Sequence, residues 1–330
     1  MNSQVLTRLS TAVTLLMCAN AMAQPPGPPP FDINKMRAEM AAYDKLPDTP
    51  GTGRYPALKE MDPSLPNHVV YRPADLSKLG SKKLGVIAWG NGGCSADGAG
   101  ARLHLEEIAS HGYLAIAAGT ILSGPGAPPK PAEAAPPPGP PAIPPPATKA
   151  SALREAIDWA LAENGRTGSP YFHRIDPSWI AVSGWSCGGL QALEIAADPR
   201  VRAVVIHNSG IFRPGANPIP DISISKSDLR KLHTPIIYIL GGPTDIAYAN
   251  GMDDFQTIDT VPAMVASLDV GHGGTFIQPN GGRAAAVAVS WLDWQLKADP
   301  EAAKVFVGAD CGICRNPDWT LQRKGWPAGH

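Results

Sequence analysis

The chain is short of charge. Lysine and arginine together number 28 and aspartate and glutamate 29, which leaves a formal net charge of −1. A balance so near zero supplies no electrostatic pull toward nucleic acid or an anionic membrane. Charged residues make up only 17% of the sequence, too few for a coiled coil or a charge-rich disordered chain. No internal repeat occurs. The apolar stretch Ala12-Val13-Thr14-Leu15-Leu16-Met17-Cys18-Ala19 is too short to span a bilayer. Cys311-Gly312-Ile313-Cys314 has no second pair at zinc-finger spacing and no thioredoxin-like surroundings, so a local disulfide is the expectation there.

What the chain has in quantity is glycine and proline, 34 and 36 in 330 residues. That composition and length suit one large, loop-rich α/β domain with a substantial core. The first residues read as an address. Arg8, the short apolar stretch and the small-x-small site Ala21-Met22-Ala23 form the pattern of a secretory signal peptide, with the mature chain starting near Gln24. Cys18 invites a lipid-anchor reading, but bulky Met17 stands where a small residue is expected. Export, to the periplasm or beyond the cell, is the expectation. It leaves four cysteines, Cys94, Cys187, Cys311 and Cys314, an even count that suggests disulfides.

Hydrophobic patterning predicts strands at Leu84–Trp89, Tyr113–Ala117, Trp179–Ser183, Ala203–Ile206, Ile236–Leu240 and Ala263–Leu268. Helical runs fall between and after them, at Ala101–Ala109, Ala150–Glu163, Gly189–Ala197 and Arg283–Lys297. Strands alternating with helices imply a mostly parallel, doubly wound sheet with helices on both faces. The expected division is a signal peptide over 1–23, a proline-rich linker and N-terminal segment over 24–50, and an α/β domain over 51–330. Within that domain, residues 123–148 form a proline-rich insertion that must loop over the surface as extended polyproline. It is a lid, a polymer-contacting arm or a docking site for a proline-binding partner, or simply a tolerated insertion. Phe212 to His233 is expected to hold a small cap.

Gly184-Trp185-Ser186-Cys187-Gly188 follows a predicted strand and precedes a predicted helix, which is the context that gives G-x-S-x-G its meaning. So sharp a turn puts serine in a strained conformation and requires neighbours almost without side chains. Serine is a poor nucleophile unless a base takes its proton and a carboxylate orients that base. In a doubly wound sheet those groups belong in loops beyond the carboxyl ends of strands. Asp245 lies a few residues past the strand ending at Leu240, and His272 a few past the strand ending at Leu268. Asp253 and Asp254 are rivals for the acid, set farther on in the next helical turn. His68, His104, His111, His173, His207, His233 and His330 lack the frame of His272 and read as structural or solvent-facing.

An oxyanion formed at Ser186 needs two backbone N–H donors. One is expected from Cys187, at the start of the helix after the nucleophile. The other is expected from the loop Gly90-Asn91-Gly92-Gly93-Cys94, at Asn91, with Gly92 the rival. Cys94 and Cys187 thus belong to two loops that build one anion hole. A bond between them would pin it, the alternative being two small buried thiols.

Gly184-Trp185-Ser186-Cys187-Gly188-Gly189, the Asp245 loop and Gly271-His272-Gly273 together resemble the α/β-hydrolase superfamily, in particular secreted dienelactone-hydrolase-like and cutinase-like or polyester-hydrolase-like serine esterases. Ser110-His111-Gly112-Tyr113-Leu114 is similar to a helix-to-strand junction of that group, and the resemblance covers roughly Leu84 to Lys297. It implies an α/β-hydrolase fold with a small cap and a catalytic set of Ser186, Asp245 and His272. It also implies an oxyanion hole at Asn91 and Cys187, and Trp185 lining the acyl pocket; a core role is the alternative for Trp185. Dienelactone hydrolases proper use a cysteine nucleophile, whereas this chain has serine. Tannase and feruloyl esterase relatives bond a cysteine beside the nucleophile to one beside the histidine; Cys187 fits the first place and nothing fits the second.

The implied activity is hydrolysis of carboxylic esters, small or polymeric, through an acyl-enzyme, with no metal or organic cofactor required. Two alternatives stand beside it. One is a serine peptidase of the prolyl-oligopeptidase type, against which the lack of a propeller-length N-terminal region counts. The other is a non-catalytic binding protein that uses the proline-rich loop.

Overall fold

The computed structural model describes residues 33–129 and 144–326. The expected signal peptide, Cys18, the run Pro25 to Pro30, the middle of the proline-rich insertion and His330 lie outside the described residues.

Val, Ile, Leu and Ala runs with no polar alternation can be buried only where both faces of a sheet are covered. Six such runs pair in parallel: β3 (Leu84–Gly90), β4 (Tyr113–Ala118), β5 (Ile175–Trp185), β6 (Ala203–His207), β7 (Ile236–Leu240) and β8 (Ala263–Leu268). Three antiparallel strands extend the edges: β1 (Ala57–Met61), β2 (His68–Pro73) and β9 (Trp319–Lys324). Among the described residues the sheet has nine strands, in the order β1-β2-β4-β3-β5-β6-β7-β8-β9. The six parallel strands match the sequence expectation. The three edge strands do not figure in it, because five or six residues flanked by polar loops carry little periodicity.

Alternate side chains of each strand point to opposite faces, which splits the interior in two. Val86 and Ala88 join a core formed with α3 (Ala150–Gly165), α4 (Cys187–Ile195) and α5 (Tyr248–Thr257). Ile87 and Trp89 face the other way, into a core with α2 (Arg102–Ser110) and α6 (Gly282–Lys297). Trp89 lies there against His104, His207 and Phe276, with the two histidine rings 4.8 Å apart. Burial drives the His104 pKa down to about 3 and that of His207 well below its ordinary value, so both rings are neutral packing residues.

The stretch 24–50, expected as linker and N-terminal segment, contains a helix, α1 (Ile33–Tyr43). Arg102 anchors its end. The fully buried guanidinium donates from Nη2 to the carbonyls of Tyr43 and Leu46 at 2.7 and 2.8 Å and lies over the Tyr43 ring. The far end of the proline-rich insertion is pinned as well. The Cys94 carbonyl accepts from the Ala147 and Thr148 amides and the Thr148 hydroxyl, while buried Gln191 of α4 donates to the Thr148 carbonyl at 2.6 Å.

The segment between β6 and β7, where a cap is expected, includes a 3-10 turn, Lys226–Lys231, and is tied down by one buried carboxylate. Asp254 of α5 accepts from the Ile211 amide at 2.8 Å, from Tyr238 Oη at 3.2 Å and from Lys226 Nζ at 2.6 Å. Burial pushes its pKa up to about 6 despite Lys226. A carboxyl raised above its unfolded value adds stability as pH falls below about 6 and withdraws it as pH rises through that value. Lys226→Met strips the buried charge of its partner and should cost about 3–5 kcal/mol at pH 7.5, with a smaller cost near pH 5 where Asp254 is protonated. Denaturant unfolding at both pH values measures this; an equal cost at both would contradict the assignment.

Candidate functional site

Ser186 joins β5 to α4 with φ 55° and ψ −122°, a backbone conformation that a non-glycine residue holds only under restraint. The restraint is a backbone crossing. A Cβ on Gly188 would stand 2.0 Å from the carbonyl carbon of Gly90, and one on Gly184 would stand 2.2 Å from the Gly188 oxygen. Only glycine fits at either place, so α4 begins hard against the ends of β3 and β5. The Ser186 amide donates to the His207 carbonyl at 3.0 Å, and Ser209 Oγ donates to the Ser186 carbonyl at 2.7 Å. The turn leaves the hydroxyl at the mouth of a cleft.

The structure brings Ser186, His272 and Asp245 together. His272 sits in the loop after β8, with Nε2 2.9 Å from Ser186 Oγ and Nδ1 2.6 Å from Asp245 Oδ1. A carboxylate oxygen can only accept, so Nδ1 carries the proton, and the Nε2 lone pair faces the serine hydroxyl as its acceptor. Asp245, in the loop after β7, is fully buried at its side chain. Its oxygens also accept from the amides of Ala247 at 2.9 Å and Gly241 at 3.2 Å. Burial works to raise the Asp245 pKa, but the His272 bond and charge, joined by these amides, outweigh it and hold the carboxyl below its ordinary value. Such an arrangement can take a proton from the hydroxyl and hold the resulting imidazolium against a fixed negative charge.

Cys187 is the first residue of α4, where helix amides lack partners in the preceding turn and the helix dipole is positive. Asn91 is buried and spends its side-chain amide on the carbonyls of Ser95 at 2.9 Å and Ala118 at 2.5 Å. Its backbone lies against the start of α4: a Cβ on Gly188 would come 2.5 Å from the Asn91 nitrogen. Gly92 and Gly93 line the cleft at Ser186, while Asn91 lines a smaller cavity beside it. A disulfide joins Cys94 to Cys187, clamping this loop to the start of α4, and a second joins Cys311 to Cys314.

The cleft holds about 650 Å³ and is walled by Met40 of α1, Trp185, Leu190, Phe212, Pro218 and Ile219. Ile246, 60% exposed, stands at its rim. His272 is the only ionisable side chain on that wall among the described residues. Trp185 both lines the cleft and holds the His272 loop, donating from Nε1 to the His272 carbonyl at 3.0 Å. The segment where a cap is expected contributes Phe212, Pro218 and Ile219.

The rival acids stand elsewhere. Asp253 pairs with Lys226 and Arg213, and Asp254 is the buried anchor described above. Sequence reasoning missed Asn208, Ser209 and Met40. Asn208 and Ser209 follow the carboxyl end of β6, the same place that singled out Asp245 and His272, so a search of every such loop for polar as well as titratable groups would have found them. Met40 carries no local signal, since only the tertiary docking of α1 brings it to the cleft. Among the described residues no cluster of three or more His, Cys, Asp and Glu is placed to hold a metal ion. No family model matches this chain, and no curated protein matches it.

The Cys94–Cys187 bond closes a loop with a sequence separation of 93. On the chain-entropy model its loss should cost about 4–5 kcal/mol. Replacing both cysteines with alanine, followed by denaturant unfolding, tests this; a loss below about 1 kcal/mol would show that the clamp does not constrain the unfolded chain.

Proposed function

We propose that this chain is a serine hydrolase of α/β-hydrolase type that cleaves neutral carboxylic esters through an acyl-enzyme. The observation that carries the reading is the continuous relay from Ser186 Oγ through His272 to Asp245, with contacts of 2.9 and 2.6 Å, opening into an apolar cleft. A binding surface has no need of a proton relay behind a strained serine.

Ser186 Oγ attacks the ester carbonyl carbon while His272 Nε2 takes its proton. The carbonyl oxygen becomes an oxyanion, and the amides of Cys187 and of the Asn91–Gly92 loop donate to it. His272 then gives the proton to the departing alcohol, leaving the acyl group on Ser186. Water, deprotonated by His272, attacks that acyl carbon, and collapse of the second tetrahedral intermediate returns the proton to Ser186 as the acid leaves. Asp245 remains ionised throughout and holds the imidazole in the required tautomer. Trp185 walls the acyl pocket and steadies the His272 loop. A wall with no fixed charge favours neutral acyl and alcohol groups, because a buried carboxylate or ammonium would lose its hydration unpaired. The two disulfides fit an exported chain.

Hydrolysis of 4-nitrophenyl esters tests the reading. Ser186→Ala and His272→Ala should each lose at least about 1,000-fold in kcat, and the double variant should be little worse than either, because the groups act as a unit. Activity should fall on the acid side as His272 Nε2 becomes protonated. An ester with a carboxylate on its acyl chain should react at least about tenfold more slowly than its neutral analogue. Wild-type turnover in Ser186→Ala would contradict the proposal.

A further inference from the structure

Asn208 follows β6 directly, is 2% exposed, and takes φ 43°, a left-handed conformation that asparagine tolerates better than most residues. Its backbone amide donates to the Ile239 carbonyl of β7 at 2.9 Å, which fixes where its side chain starts. Its Nδ2 donates in two directions, to Asp245 Oδ2 at 3.0 Å and to the Gly271 carbonyl at 3.0 Å. Both partners can only accept, so chemistry sets the amide orientation: the NH2 group faces them and Oδ1 points away. Gly241 gives it passage. A Cβ there would lie 2.5 Å from Asn208 Nδ2, so no other residue at 241 leaves room for the amide.

These contacts make one bridge. Gly271 immediately precedes His272, so a single amide ties the loop that carries the acid to the loop that carries the base. The Asp245 carboxylate then accepts four hydrogen bonds, His272 and Ala247 on Oδ1 and Asn208 and Gly241 on Oδ2. Oδ2 is held from one side by side chain and from the other by backbone, which leaves Oδ1 aimed at the imidazole.

We propose that Asn208 is a positioning residue for the relay: by binding Asp245 Oδ2 and the Gly271 carbonyl together, it sets the angle and charge with which Asp245 meets His272. The inference rests on the serine-hydrolase reading and deepens it. Asn208 touches no reacting atom; it acts through Asp245 and His272, the two titratable groups at the bridge. Asp269, on the same loop as His272, is held away by Thr244 Oγ1 at 2.8 Å.

Two variants test it. Asn208→Gly removes both donors while accepting the positive φ without strain. Asn208→Asp keeps the shape and accepts the same φ but replaces the donor with a second carboxyl beside Asp245. In Asn208→Gly, kcat for a neutral 4-nitrophenyl ester should fall about 10- to 100-fold with KM little changed. Asp245, relieved of one donor, carries more effective charge and stabilises the imidazolium. The acid limb of the kcat/KM profile should therefore move to higher pH, by about 0.3–1 unit. Asn208→Asp should retain rate only where its new carboxyl is protonated and can donate, so it should lose activity on the alkaline side where the wild type does not.

Rates are taken per folded molecule, from near-ultraviolet circular dichroism. A rate that falls only with the folded fraction, with neither pH limb moved, would make Asn208 merely structural and overturn the proposal. So would wild-type kinetics in both variants. Should Asn208→Gly fail to fold, the alkaline limb of Asn208→Asp decides alone. If the wild type hydrolyses no ester, the parent reading fails and this one with it; if the wild type is active and the variants match it, only the positioning role fails.

Discussion

The close crossing of backbone at Gly90, Gly184 and Gly188 is the constraint on which the rest of the site depends. There the first turn of α4 presses against the ends of the two central strands, closer than any side chain would allow. Three consequences follow from that one contact. Ser186 is forced to a positive φ with its hydroxyl outward. The Cys187 amide comes to the start of a helix beside that hydroxyl. The loop after β3 is drawn against the same helix, where Cys94 bonds Cys187. Strain at the serine is therefore held by the packing around it.

Around this fixed point the partner groups arrive on loops from β6, β7 and β8, and three kinds of restraint hold them. The Cys94–Cys187 bond acts on the chain, limiting how far the β3 loop and α4 can part. Hydrogen bonds from Trp185, Asn208 and backbone amides act on direction, setting where His272 and Asp245 point. Burial acts on charge: it excludes water from Asp245, whose ionised form is kept by the donors gathered around it. The same sheet that positions these groups buries His104 and His207 neutral among aromatic rings, so histidines in one chain take unlike roles according to what surrounds them.

Much of this was legible in the sequence because local chemistry and tertiary placement agree there. A serine between glycines at a strand-to-helix junction has one reasonable geometry, and a parallel sheet puts loop residues past the strand ends on one side. Ser186, Asp245 and His272 could be named together for that reason, and the two loops with Cys94 and Cys187 could be paired. The remainder depended on contacts between distant segments. The edge strands β1, β2 and β9 are too short to show a period. Helix α1 lies in the stretch expected as linker and N-terminal segment, and its place against Arg102 and the cleft is a tertiary fact. Asn208 carries no titratable group, so a search for acids and bases passed over it although it stands in the same row of loops.

The central claim is that Ser186 is made reactive by His272. Labelling with a fluorophosphonate probe, with the adduct located by peptide mass spectrometry in the wild type and in His272→Ala, tests it most directly. The account predicts an adduct on Ser186 in the folded wild type and little or none in the variant. No adduct in folded wild-type protein, or equal labelling without the imidazole, would contradict it.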